Sequence, residues 1–487
     1  MPSRNKQLFS TIGHTFALIL VWIAELGNSH HVRAQTLLPY QEYLLRVAQN
    51  HPNAQRANLL SDIAQQQLIA AKGSFDPKLQ SEWQGKKYND KIYYSIFDAE
   101  LKVPLLLGGD LKMSYQLADG YYLNSENTVP LAGLATVGIA LPLLQGLKTD
   151  ERRTNLQQAK LLQNINRNEQ VLQLNDLLFA AALAYWDWLE AYQHTQIAQT
   201  ALQLAKKRLN DLKNSVLQGD RPGIDTIEAR LTVQERQLQL AEKMMDYEVS
   251  QIYLTNFLMP TTTTKTNESN SAALSITFIP LQTDTTIMAV QTATSLLASD
   301  THPVIAAYQY KLNSLDIERR LKSNKLLPKL NIQYNFLAKQ FNYFNNEGYG
   351  LPLLNNSKWG IQAALPLFFR QERGNLALTK LKIQDTQWQK DLKSIELNNK
   401  ITAQIAKINN LVAQIRLYEQ SVRDYQTLLD AENVRFSMGE SSVFLLNTRE
   451  TKLIEAKQKM VSLQMKYYRT RAELAWAKGD VMKSVNH

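Results

Sequence analysis

Residues 328–336 read PKLNIQYNF, and in this stretch apolar and polar side chains alternate strictly. Such a period of two is typical of a β-strand whose two faces meet different surroundings. Residues 359–365, WGIQAAL, repeat the apolar face on the return. A strand between lipid and water needs this pattern, and a half-buried strand of a soluble sheet also shows it, so the pattern alone leaves both open.

This strand belongs to an internal repeat. His302-Pro303 comes 26 residues before Pro328 (328 − 302), and His51-Pro52 comes 26 residues before Pro77 (77 − 51). The two copies lie 251 residues apart (302 − 51), and Lys-Leu follows the second proline in each. Each copy then continues through alternating segments to a Leu-Pro-Leu and a very long helical stretch. The sequence therefore predicts a duplicated architecture.

The order of the chain follows from this duplication and from its first residues. Arg4 and Lys6 precede an apolar run at 16–24, and Val32-Arg33-Ala34 offers a small-residue cleavage site, which together predict a secretory signal and a mature chain starting near Gln35. The run is shorter than a spanning helix needs. The predicted divisions are a signal peptide 1–34, a first repeat 35–259, a linker 260–288, a second repeat 289–479 and a tail 480–487.

The predicted helices differ greatly in length. In each copy one helix of about 100 Å should lie beside two short helices stacked end to end. The expected bounds are 40–72, 150–216 and 224–258 in the first copy, and 290–326, 372–437 and 443–478 in the second.

Apolar residues along these helices keep a spacing of three and four that is typical of coiled-coil seams. In the second copy the stripe along the long helix includes Ile401, Ile405, Ile408, Val412, Ile415, Val422, Tyr425, Leu429 and Phe436. The return stripe there is Leu446, Leu453, Met460, Tyr467 and Leu474. In the first copy we expect Leu202, Ala205, Leu209, Leu212 and Val216 to face Leu231, Leu238, Met245 and Ile252. Stripes of this kind indicate packing and do not identify a function.

Four alternating segments precede the long helix of the first copy, whereas the second copy has two. They are Leu79 to Tyr88, Ile92 to Val103, Asp110 to Tyr122 and Leu134 to Leu141. The first copy therefore carries an extra hairpin, and the sequence does not say where it lies.

Composition argues against an enzyme and against a nucleic-acid binder. The chain has no cysteine, and its seven histidines show no metal-binding spacing such as HExxH. The sequence also contains no GxSxG motif and no P-loop. His51 and His302 each precede a proline, which predicts turn or capping positions. The net charge of +10 is scattered, with no basic block interleaved with aromatic residues. We expect no cofactor, no metal and no nucleic-acid partner.

Membrane insertion, if it occurs, should use strands. No segment after the signal is apolar enough to span as a helix, and only helices and closed barrels satisfy their backbone groups in lipid. A few strands cannot close a barrel, so several copies must share one.

Several motifs in this order resemble the TolC-like outer-membrane efflux protein family across essentially the whole mature chain. They are GSFDPKL at 73–79, LPLLQG at 141–146, Gly219 with Asp225, Ala229 and Arg230, and RFSMGESS at 435–442 with Leu445-Leu446. The resemblance implies a mostly α fold with long coiled-coil hairpins and a transmembrane β-barrel of twelve strands shared by a homotrimer. It also implies a passive exit duct in the outer membrane of a Gram-negative bacterium with a long periplasmic extension. The duct would serve a tripartite efflux or type I secretion system, with a periplasmic adaptor protein and an inner-membrane pump as partners. The exported substrate cannot be read from the sequence.

The helical turns are the candidate sites that this resemblance suggests. Gly219, Asp220, Gly439, Glu440 and Ser441 should lie at the periplasmic tip and contact the adaptor. Asp225, Phe436, Leu445 and Thr448 are the candidate gate residues. Relatives tether the closed state with a tyrosine and an arginine, and here Phe436 and Ser441 stand at those places, so the sequence predicts that this tether is missing and that closure relies on apolar packing.

Two alternatives remain at the level of the sequence. A periplasmic adaptor also has a long helical hairpin, but it needs a compact β-rich module and an inner-membrane anchor. A structural coiled coil of the cell envelope would not need strands of the lipid-facing kind.

Overall fold

A computed structural model describes residues 36–258, 278–280, 287, 302–339 and 356–481. The predicted signal peptide, most of the predicted linker and residues 290–301 of a predicted helix lie outside the described residues. Within them the fold is mostly helical with one large sheet, which confirms the predicted fold class.

The helices are α1 (Tyr40–Asn50), α2 (Pro52–Lys72), α3 (Glu151–Leu217), α4 (Ile224–Thr255), α5 (Pro303–Asn324), α6 (Arg370–Ser437) and α7 (Val443–Ala477). The strands are β1 (Thr36–Leu38), β2 (Lys78–Tyr88), β3 (Lys91–Pro104), β4 (Asp110–Asp119), β5 (Leu134–Pro142), β6 (Phe278–Pro280), β7 (Lys329–Lys339) and β8 (Ser357–Ala364).

The long helices α3 and α6 run the full length of the helical part, and the shorter helices fill the space beside them. Beside the sheet the neighbours are ordered α2-α3-α5-α6, and in the distal half they are ordered α4-α3-α7-α6. Of the described helices, four therefore lie side by side at each of these two levels. The end-to-end stacking predicted from helix lengths is confirmed in both copies.

The predicted helix 40–72 is divided into α1 and α2 at His51. Proline disfavours helical geometry in the residue before it, and His51 accordingly has φ −70° and ψ 135°. The His51 ring accepts a hydrogen bond from the backbone N–H of Asn53 at 3.1 Å, and His302 caps α5 through the N–H of Val304 at 3.3 Å. The capping interpretation of the two His-Pro motifs is confirmed.

The main core surrounds the middle of α3, where the ends of the short helices meet. Tyr185 and Trp188 of α3 are fully buried there with Tyr43 of α1 and Leu254 at the end of α4. The Tyr185 hydroxyl donates to the backbone oxygen of Leu38 at 2.8 Å, which fixes β1 against this core. β1 pairs in parallel with β6, so a segment of the predicted linker packs at this level.

Two coiled-coil seams were predicted, one in each copy, and the return stripe of the first copy is wrong. The second-copy return stripe on α7 is buried against α6, including Leu446, Leu453 and Tyr467. In the first copy, α4 instead packs on α3 through Ala229 and Val233. The stripe Leu231, Leu238, Met245 and Ile252 is exposed on the opposite side, because a heptad pattern shows that a seam exists without identifying the partner helix.

One six-stranded antiparallel sheet has the order β2-β3-β4-β5-β7-β8. All four first-copy segments are strands, and β4 ends at Asp119 rather than at Tyr122. The extra hairpin lies inside the sheet. The sheet formed by the described residues thus has six strands, two more than the four per chain that the resemblance implies.

In the residues that the structure describes, no helix is long and apolar enough to cross a membrane.

Candidate functional site

The two helical turns at the distal end are built in the same way. Gly219, two residues after the end of α3, has φ +80°, and Gly439, two residues after the end of α6, has φ +79°. The following amides donate back across the last turn, from Asp220 to the Ser215 oxygen at 3.0 Å and from Glu440 to the Arg435 oxygen at 2.9 Å. Glycine adopts this left-handed geometry at no steric cost, so it ends each helix and lets the chain reverse.

Arg221 joins the two turns. Its guanidinium donates to the backbone oxygen of Phe436 at 3.0 Å and to that of Ser441 at 3.4 Å. It also lies over the Phe436 ring, 4.2 Å from the ring centroid. Because the backbone of the second turn accepts both hydrogen bonds, this tether does not require a tyrosine or an arginine at 436 and 441. The predicted absence of the relatives' tyrosine–arginine tether stays a prediction, and Arg221 makes a different contact between the two turns.

A second polar contact fixes the turn of the second copy. Ser441 donates to the Glu432 carboxylate at 2.5 Å, and Arg449 lies 3.8 Å from the other Glu432 oxygen. Glu432 is buried at 5% exposure, and an arginine partner offsets the cost of burying its charge.

The candidate gate residues occupy different environments. Asp225 is half-buried, and its carboxylate lies 3.9 Å from Arg221. Phe436 packs beside Leu212, Ala229 and Val443, inside the protomer. Leu445 is half-buried and Thr448 is exposed on α7. The structure brings Asp225 and Phe436 together around Arg221. Thr448 donates to the Phe444 backbone oxygen, at 2.8 Å, within its own helix.

The candidate adaptor-contact residues form the exposed end of the helical part. Gly219, Asp220, Gly439 and Glu440 are exposed, and Ser441 is half-buried through its contact with Glu432. All five lie in the two turns that Arg221 joins.

Sequence reasoning missed Arg221. Its signal is its position two residues after Gly219, immediately before Pro222. Its partners, however, are more than 200 residues away in the chain, and no local pattern encodes such a contact.

The sheet has one apolar face and one polar face. The register aligns Leu79, Leu101, Met113, Val137 and Phe336 in one row across the strands. The neighbouring row on the other face aligns Gln80, Glu100, Ser114 and Thr136. Strands that separate lipid from water have this division of faces.

The part of the chain that the structure describes leaves two sides open. β2 and β8 are the sheet edges, and almost all of their residues are exposed. The helix layer ends in the same way, with α2 and α4 on one side and α6 on the other. Apolar residues are exposed on each of these helices, including Leu59 and Ile63 on α2, Leu231 and Leu238 on α4, and Trp388 and Leu392 on α6.

A family model for outer membrane efflux proteins matches residues 296–480. This part of the chain is an outer membrane efflux protein domain. The resemblance seen in the motifs is thereby confirmed for this part of the chain. No curated protein matches the chain.

Solved structures of such channels share the fold along nearly the whole chain. The Campylobacter jejuni CmeC outer membrane channel has a TM-score of 0.61 at 14% identity, covering 92% of this chain and 88% of that one. VceC from Vibrio cholerae gives 0.61 at 15% identity, with coverages of 91% and 96%. The open state of the Neisseria gonorrhoeae MtrE channel gives 0.63 at 15% identity, with coverages of 91% and 89%. The first copy, which the family model does not reach, therefore has the fold of an efflux channel as well.

Proposed function

We propose that three copies of this chain form a passive exit duct, in which the sheets make a pore in the outer membrane and the helices make a periplasmic tunnel. The observation that carries this proposal is the pair of open sides on each copy. The side formed by α2 and α4 differs from the side formed by α6, so copies associate head to tail, and such contacts end only when a ring closes.

The exposed stripe on α4 is the strongest part of this argument. Ile224, Leu231, Leu238, Met245 and Ile252 recur every seven residues and are 58–72% exposed. A strict heptad stripe predicts a second helix packed along it. The described part of the same chain offers none there, so the α6 side of a second copy is its proposed partner, through Leu417, Leu428 and Val434, which are also exposed.

The distal end is the proposed docking site for a periplasmic adaptor, and through it for an inner-membrane pump of a tripartite efflux or type I secretion system. The turns lie at the end of the helical part farthest from the sheet, and Asp220 and Glu440 are exposed on them. Backbone hydrogen bonds within the two turns fix the conformation of the main chain. A fixed conformation favours recognition by a rigid partner surface.

The gate is proposed at the same end. Arg221 holds the two turns of one protomer together, and the Asp225 carboxylate beside it would add three like charges around the axis of a trimer. Because Arg221 lies 3.9 Å from the carboxylate and offsets part of its charge, such a ring would attract cations weakly. If cations block the conductance of the wild type and of Asp225→Asn equally, Asp225 does not line the pore.

The first test is the mass of the detergent-extracted protein. We expect a particle of three chains, and we expect Leu238→Glu to reduce it to single chains because a charge on the α4 stripe cannot be buried unpaired. Gln237→Glu is the matched control, since it adds the same charge at the neighbouring exposed position off the stripe.

A wild-type monomer in mild detergent would contradict the trimer, and so would equal effects of the two substitutions. Full solubility of the wild type without detergent would favour the adaptor or structural alternative.

A further inference from the structure

The sheet contains two more strands than a twelve-stranded trimer allows. Its strands have 11, 14, 10, 9, 11 and 8 residues in spatial order, and a strand that crosses a membrane needs about 9–11. The additional strands are thus long enough to span.

The extra hairpin, β3 and β4, lies within the sheet between β2 and β5 and does not pack on one of the sheet's faces. β3 pairs with β2 from Lys91 to Lys102 and with β4 from Ser95 to Pro104. β4 pairs with β5 from Asp110 to Gln116. The apolar row and the neighbouring polar row both pass through β3 and β4 without interruption. The hairpin therefore continues both faces of the sheet.

The register of the six strands also has the stagger of a barrel. The row that begins at Lys78, the first residue of β2, reaches β8 at Lys358, six residues before the strand ends at Ala364. Six residues of offset over five steps, at about 3.3 Å per residue and 4.8 Å between strands, give a tilt of about 40°. Transmembrane barrels have tilts of about 35–45°.

The edge strands suit a junction between copies. All neighbouring strands of the sheet are antiparallel, so the first strand, β2, and the sixth, β8, run in opposite directions. Placing β8 of one copy beside β2 of the next therefore continues the antiparallel alternation. An odd number of strands per copy would not allow this.

The width of the sheet matches the width of the helix layer. Six strands tilted by about 40° cover an arc of about 38 Å, and four helices at 8–10 Å spacing cover roughly 32–40 Å. Four strands at the same tilt would cover only about 25 Å.

We infer that the outer-membrane pore is an eighteen-stranded barrel, six strands from each of three copies, and that it admits bulky hydrated solutes that a twelve-stranded pore excludes. The inference rests on the proposed trimeric channel. At the same tilt the backbone diameter is about 36 Å for eighteen strands and about 24 Å for twelve. After about 5 Å of side chain on each side, the lumen radii are roughly 13 Å and 7 Å.

Polymer exclusion in planar bilayers tests the pore width. Polyethylene glycols with radii between about 7 and 13 Å should lower the conductance of the wild-type channel by entering it. Deleting residues 91–119 removes β3, its turn and β4, and leaves 120–133 to connect β2 with β5. This variant should exclude those polymers and show a conductance roughly three-fold lower, following the lumen area. Removing the hairpin without changing the polymer cut-off would overturn the inference.

Cysteine accessibility tests the same wall without a deletion that could prevent folding. The chain has no cysteine of its own, so single cysteines give a clean background. In the assembled channel, Glu100→Cys and Gln116→Cys should react with a charged, membrane-impermeant thiol reagent. Leu101→Cys and Met113→Cys should react only with a lipid-soluble reagent.

The two proposals fail differently. Equal reactivity of all four positions with the charged reagent, in a trimer that conducts, would place the hairpin outside the wall and overturn the wider pore alone. A protein that forms no trimer and no channel would instead overturn the proposed function.

Discussion

At the scale of single residues, Arg221 has the largest consequence for the distal end. Two hydrogen bonds from a charged donor contribute about 1.5–3 kcal/mol each, and a partly exposed cation–π contact adds about 0.5–1 kcal/mol. Competition from water reduces this sum, because the Arg221 side chain is 19% exposed. The tether still exceeds an ordinary surface contact, and it joins turns from the two halves of the duplication.

Arg221→Met should loosen the distal end, because methionine retains the apolar contact with Phe436 and removes both hydrogen bonds. We expect a higher conductance or a longer open time in planar bilayers. Arg230→Met is the control, since Arg230 is an exposed arginine on the same hairpin. If the two variants conduct alike, Arg221 has no part in closure.

A second charged cluster lies between α3 and α7, near the middle of the molecule. Arg469 pairs with Glu190 and, at 2.6 Å, with Asp187, and His194 lies 3.4 Å from Glu190. Burial raises the pKa of Glu190, but hydrogen bonds from His194, Ser462 and Arg469 and the charge of Arg469 outweigh it, so that the pKa falls from 4.5 to about 2.

The folded state therefore gains stability from the ionised carboxylate. Because the folded pKa lies below the unfolded one, the contribution is complete above pH 4.5 and is lost as the pH falls from about 4.5 towards 2. Allowing for solvent screening, it amounts to about 2 kcal/mol.

Arg469→Met should lower the Tm near neutral pH, and the difference from the wild type should shrink as the pH falls from 4.5 to 2, as measured by circular dichroism. Arg471→Met changes an exposed arginine on the same helix and should have little effect at either pH. A Tm difference that stays constant over this range would show that Glu190 does not titrate as described.

At the scale of helices and strands, local patterns predicted most of the fold. Proline, glycine and the period of apolar residues encode where elements start and stop, so the His-Pro caps, the glycine turns and the four first-copy strands were all predictable. Helix lengths alone indicated that two short helices stack beside each long one.

Contacts between distant elements were not predictable in the same way. The stripe on α4 was assigned to α3 because a heptad pattern carries no information about its partner, whereas small and branched residues at Ala229 and Val233 make the actual contact. The place of the extra hairpin depends on pairing between strands. The Arg221 tether depends on how the two copies meet.

At the scale of the whole molecule, each copy is an incomplete object with two different open sides. The sheet edges and the exposed stripes lie on the same two sides, so one association satisfies both. The pore and the tunnel should therefore form together, because the β8–β2 junction and the α6–α4 seam close in the same step.

The head-to-tail sides also have a genetic consequence. A copy with a substitution on one side still has an intact second side. It therefore associates with normal copies and makes the resulting assemblies non-functional. With equal synthesis of normal and Leu238→Glu chains, about one ring in eight would consist of normal chains alone, and the allele should behave as a dominant negative. A copy blocked on both sides, with Leu238→Glu and Leu428→Glu together, should be excluded from rings and so be recessive. The yield of stable trimer containing a tagged normal chain, measured during co-expression, distinguishes the two alleles, and equal yields would mean that incorporation does not require an intact side.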